Sequence, residues 1–95
     1  MATVLQREMG LDHREFFRSL PNAMGTLAYA IDQADVLIRD GERTLRIHLH
    51  PSGERRIALL RLPVTLVDFA FEGYTDMEIA AFMQGFERHY QRGGG

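Results

Sequence analysis

Thr44-Leu45-Arg46-Ile47-His48-Leu49-His50 alternates without a fault, with leucine and isoleucine at the odd positions from 45 and arginine and histidine at the even ones. A period of two marks a strand with one face buried and the other in water. Pro51-Ser52-Gly53 follows. Proline suits the first turn position and glycine a left-handed one, which predicts a three-residue hairpin loop. That loop pairs His50 with Glu54 and sets Ile57 and Leu59 on the face of Leu45 and Ile47. A loop longer by one residue puts Arg56 and Ala58 there instead, so the hydrophobic match selects the shorter.

Working outward, Val36 and Ile38 share one face of the preceding strand, which ends at Asp40-Gly41. That dipeptide is a strong hairpin signal, because both turn residues accept positive φ. Before it, Leu27, Tyr29 and Ile31 alternate with two alanines as a first strand, joined by a turn over 32–35. After residue 53, a last strand runs over 64–71, with Val67, Phe69 and Phe71 as its heavier face and Val64, Leu66, Asp68 and Ala70 as the other. Pro63 lacks a ladder donor and belongs at a strand end or bend.

A helix flanks the strands at each end. Asp12 is an N-cap with Glu15 in capping-box position, and Leu11 and Phe16 have the spacing of a hydrophobic staple. Phe16, Phe17 and Leu20 follow, and Pro21 is expected to stop this helix. Thr75 and Glu78 form a second capping box, after which Ile79, Phe82, Met83, Phe86 and Tyr90 make one apolar stripe. The expected fold is α+β: an antiparallel meander of four to five strands between an N-terminal and a C-terminal helix, the latter packed on one sheet face. The chain reads as one domain over 1–95, with 1–10 as a flexible lead and 93–95 as a flexible tail.

Composition narrows the functional classes. The 95 residues carry no cysteine, so disulfides, thiol nucleophiles and thiolate metal sites are excluded. All eleven basic residues are arginine, which fits the codon bias of a GC-rich genome. A net charge of −2 and a pI near 6.0 argue against a nucleic-acid binder. Residues 1–10 lack the pattern of a signal peptide, and no apolar run approaches the roughly 20 residues of a membrane span. The expected location is cytoplasmic, without a membrane.

The informative feature is the second sheet face. With the last helix over Leu45, Ile47, Val67 and Phe69, the other face carries Leu60, Leu62, Val64 and Leu66 beside Arg46, His48, His50 and Arg56. A solvated face should alternate to polar throughout. Either the N-terminal helix folds over its apolar half, or a protein partner or second copy does. Leu60, Leu62, Val64 and Leu66 are the candidate partner-binding residues, with Arg46 and Arg56 as a polar rim.

Other chemistry is thinner. His48 and His50 point to one side of a strand, about 7 Å apart, and are the candidate metal ligands if a third arrives from His13, His89 or Asp68. Arg46 and Arg56 form a candidate anion patch, though no aromatic residue is placed to stack a base. Neither Ser19 nor Ser52 has a nucleophile's context, so no enzymatic activity and no cofactor are expected. Arg92-Gly93-Gly94-Gly95 resembles the Gly-Gly end of ubiquitin-like and sulfur-carrier proteins, which implies activation as an acyl adenylate. In that family the glycines follow a strand, and here they follow a helix.

Overall fold

The computed structural model describes residues 2–93. In chain order it runs β1 (Thr3–Met9), α1 (His13–Met24), β2 (Tyr29–Asp32), β3 (Asp35–Asp40), β4 (Arg43–Leu49), β5 (Gly53–Ile57), β6 (Leu60–Glu72) and α2 (Asp76–Gly93). The strands pair antiparallel in the order β1-β6-β4-β3-β2, and β5 pairs with the first half of β6. The class is the expected one, an α+β sheet with a helix near each end and α2 on one face. The details differ at several places, among them that β6 begins at Leu60 rather than 64 and carries Pro63 inside it, opposite Glu54.

The segment 1–10, read as a flexible lead, supplies β1. It pairs along β6 from Thr3↔Phe71 to Met9↔Thr65. Its alternation is weak because it is an edge strand, with Leu5 and Met9 only half-buried against the core. Of the expected tail, Gly94 and Gly95 lie outside the described residues.

α1 does not stop at Pro21 but continues to Met24, where Gly25 (φ 63) closes it with its N–H on the Pro21 carbonyl. An interior proline costs about 3 kcal/mol. Of the buried residues of α1, Met24 alone lies beyond the proline, and its burial returns about 1.5–3 kcal/mol, which offsets most of that cost. The caps follow the sequence reading. Asp12 Oδ1 accepts from the Glu15 N–H at 2.9 Å, and Thr75 and Glu78 cap each other reciprocally at 2.8 and 3.1 Å.

The Asp40-Gly41 turn sits one residue later than read. Asp40 pairs with Arg43, so the loop is Gly41-Glu42, and Gly41 alone takes positive φ.

The largest correction concerns Pro51-Ser52-Gly53, which is not a hairpin loop. β4 pairs with β6 as Leu45↔Phe71 and Leu49↔Val67, and β5 resumes as Gly53↔Val64 after one extra residue. The His50 N–H continues the ladder to the Leu66 carbonyl at 2.9 Å. β4 and β5 are therefore one long strand with a bulge, hairpinned onto β6. Glu54 pairs with Pro63, not His50, and Ile57 pairs with Leu60 across a two-residue tip, Ala58-Leu59. The reason is burial. This register sets Leu45, Ile47 and Leu49 against Phe71, Phe69 and Val67, and all six are sealed from solvent. The shorter loop would have offered them only Ile57 and Leu59.

Both helices lie on this inner face. Phe16 of α1 stacks on Tyr90 of α2 at 5.2 Å between ring centroids, and Phe86 meets Phe69 of the sheet edge-on at 5.2 Å. α1 therefore does not cover the outer face.

Candidate functional site

The register lays the outer face out in rows. One row crosses five strands as Gln6, Asp68, His48, Asp35 and Asp32. The next, one pleat further from the bulge, is Val4, Ala70, Arg46, Leu37 and Ala30, apolar except for Arg46. Ala28, Ala30, Leu37, Arg46, Ala70 and Glu72 bound an open depression of about 710 Å³ on this face. Ala70 and Ala30 stand at its two sides, with Arg46 and Leu37 between them.

The polar row is internally satisfied. His48 Nδ1 meets Asp35 at 2.5 Å and His50 Nε2 meets Asp68 at 2.7 Å. Gln6 donates to the second Asp68 oxygen at 2.9 Å. The Gln6 and His50 hydrogen bonds hold the Asp68 carboxyl below its ordinary value. The imidazoles do sit together, with ring centroids 5.1 Å apart. Each has one nitrogen committed to a carboxylate, and among the described residues no group of three or more ligating side chains is arranged to hold a metal ion. His13, a candidate third ligand, instead bonds the His50 carbonyl through Nε2 at 2.7 Å.

Beyond Leu66 the β5–β6 hairpin leaves the sheet as a ribbon. Every residue from 51 to 62 is exposed, and the chain spans 47 Å along its long axis but 25 Å across. Because the bulge inserts one residue, it shifts the sides of β5. Ile57 now pairs with Leu60, and Arg55 with Leu62, on the side continuous with the outer face. The result is a stripe of Ile57, Leu60, Leu62, half-buried Val64 and Leu66, with exposures of 52, 62, 42 and 40% for Ile57, Leu60, Leu62 and Leu66. At the tip Leu59 is fully exposed, at 100%.

The expected stripe of Leu60, Leu62, Val64 and Leu66 is thus assembled, and Ile57 joins it. The expected rim is not assembled as read. Arg46 is level with Ala70, at the far end of the outer face. Arg56 stands opposite Arg61 on the other side of the ribbon. Nine positions along β6 separate the two arginines, about 30 Å of extended strand, so they do not form one anion patch. Arg55 takes the rim position, bonded to Glu8 of β1. Sequence reading missed Ile57, Leu59 and Arg55 because Ala58-Leu59 lacks the Gly or Asn that announces a tight turn. Ala58 adopts φ 56 regardless.

The ribbon's root is tied down. Thr65, buried on the inner side, donates to the Leu11 carbonyl at 2.7 Å and accepts from Ser52 of the bulge at 2.8 Å. Ser52 is thereby turned away from the histidine row.

Among the described residues no helix is long and apolar enough to cross a membrane. No protein-family model matches the chain, and no curated protein is similar to it in sequence.

Proposed function

We propose that the chain is a small, non-enzymatic interaction module that self-associates through its outer sheet face and ribbon. The observation that carries this reading is the ribbon itself: twelve consecutive exposed residues, 51–62, that include Ile57, Leu59, Leu60 and Leu62. A two-stranded hairpin is marginally stable alone in water, and this one presents its aliphatic side chains to solvent.

Charge favours a second copy as the occupant. Residues 51–62 hold three arginines and one glutamate, whereas the rest of the chain holds eight arginines and twelve carboxylates. The ribbon is therefore cationic and the body acidic, a pairing the molecule can satisfy with itself. The same acidic body repels a nucleic-acid backbone.

Covering each half-exposed aliphatic side chain returns about 1 kcal/mol, so one stripe is worth roughly 5 kcal/mol. Association costs at least about 4 kcal/mol in lost freedom. A single stripe matches only the low end of that cost, and a two-fold arrangement that covers both stripes doubles the return. An accessory role in metal or anion binding through His48, His50, Arg46 and Arg56 has less support, given the committed imidazoles and the separated arginines.

Light scattering of the wild type and of Leu62→Asp tests the proposal. The wild type is expected at twice its 10.9 kDa mass, and the variant at the monomer mass with an unchanged circular dichroism spectrum. A wild type that stays monomeric at millimolar concentration would refute it.

A further inference from the structure

The outer face holds a hollow that reaches from β6 across to β2, and the ribbon holds a projection at the start of β6. Leu60 at the tip and Ala70 at the depression are ten residues apart, about 33 Å of extended chain. The hollow is lined by Ala28 and Ala30 on one side and Ala70 on the other, with Leu37 and Arg46 between. The projection is Leu59 and Leu60, the two most exposed aliphatic side chains of the β6 hairpin.

We infer that the ribbon tip of each copy seats in the depression between Ala70 and Ala30 of a second copy, so that two chains exchange ribbons about a two-fold axis passing near Thr65. The inference rests on the self-association proposed above and assigns its geometry. An axis at Thr65 brings Leu60 of one chain level with Ala70 of the other, and Val64 level with Leu66. The same operation serves both chains, so the contact closes as a dimer and does not propagate. Two sheets packed face to face in this way cross at about 30°, which over the five positions from axis to tip moves the tip sideways by about 8 Å, and the inferred dimer takes the direction that carries it from β6 onto the depression.

The charges agree with this register. Level with Leu62 is Arg55, and level with Leu62 across the axis is Asp68 of the second copy, in a row that also carries Asp35 and Asp32. On the outer face of the body Asp32, Asp35, Asp68 and Glu72 stand against Arg39 and Arg46, while Glu8 is bonded to Arg55. The ribbon's net positive charge is drawn onto that surface, with Arg55 on the side that meets it and Arg56 and Arg61 on the other. Stacking ribbon on ribbon without reaching the body would set arginine against arginine.

The chain has no cysteine, so introduced thiols report contact without background. One preparation carries Leu59→Cys. Others carry Ala70→Cys or Ala30→Cys, which sit at opposite sides of the depression, each checked for native circular dichroism. A disulfide forms only where Cα atoms come within about 7 Å. Mixing the tip variant with each of these variants under mild oxidation should give a mixed disulfide dimer with at least one of the two positions. That product should exceed the Leu59→Cys homodimer several-fold.

A wild type dimeric by light scattering that gives no mixed product with either position overturns the ribbon exchange and leaves self-association standing. So does a predominant tip-to-tip disulfide. A wild type that remains a monomer overturns both. A monomer that retards a duplex oligonucleotide at low salt, and loses this with Arg55, Arg56 and Arg61 changed to glutamine, also overturns both and assigns the ribbon to a nucleic-acid groove.

Discussion

Thr65 donates its hydroxyl proton to the carbonyl oxygen of Leu11 at 2.7 Å, across 54 residues of sequence, and both groups are sealed from solvent. The start of α1 and the root of the ribbon are thereby one unit. Replacing Thr65 with valine keeps the shape but leaves the Leu11 carbonyl without its donor and Ser52 without its acceptor. A buried unsatisfied carbonyl costs about 1–3 kcal/mol. Urea unfolding of Thr65→Val is expected to show a loss in that range, and Thr65→Ser, which keeps the hydroxyl, a smaller one.

Gly73, between β6 and α2, has φ 81, and a Cβ there would come within 3.0 Å of the Glu42 carbonyl oxygen. Positive φ alone costs an L-residue about 1–2 kcal/mol, and the neighbour is backbone that has no rotamer to yield. Gly73→Ala is expected to destabilise by about 2 kcal/mol or more in thermal or chemical unfolding. Gly41→Ala meets no neighbour and should show the conformational cost alone.

Asp68 is held below its ordinary value of 3.8 chiefly by the Gln6 hydrogen bond, then by His50. A lowered folded-state pKa means that the carboxylate contributes stability above its unfolded value and loses it as pH falls through the folded value. The stability gap between wild type and Asp68→Asn should therefore close as pH drops from about 5 to about 2. Urea midpoints at several pH values check this. A gap that widens on acidification would contradict the assignment.

Arg55 is bonded to Glu8 within its own chain and faces the same side as Leu62. In the exchanged dimer it lies among the second copy's carboxylates. Arg55→Glu should weaken the dimer by about tenfold at low salt, and raising ionic strength should narrow that difference. Sedimentation at two salt concentrations reads both effects.

How much of this was legible in the sequence follows from how local each signal is. The capping boxes at Asp12 and Thr75, and the period-two run from Thr44 to His50, depend on neighbours within a few residues, and they read correctly. Pro21 and Pro51-Ser52-Gly53 carry equally clear local signals that the fold overrides. In each case burial elsewhere opposes the local preference, of Met24 in the first and of Phe69 and Phe71 in the second. β1 was hidden because an edge strand needs only Leu5 and Met9 to face the core. At the candidate site the stripe of Leu60, Leu62, Val64 and Leu66 was readable, since alternation fixes sides within one strand. Its partners Ile57 and Arg55 were not, because a one-residue bulge reverses the sides of everything between it and the tip.

Amide hydrogen exchange of the non-proline residues of 53–64, followed at micromolar and millimolar protein concentration, tests most directly whether the ribbon is covered by a second copy. Coverage predicts protection of these amides that rises with concentration and is lost in Leu62→Asp, while the amides of Ile47 and Phe69 stay protected throughout. Fast exchange of residues 53–64 at both concentrations, equal in wild type and variant, would contradict it.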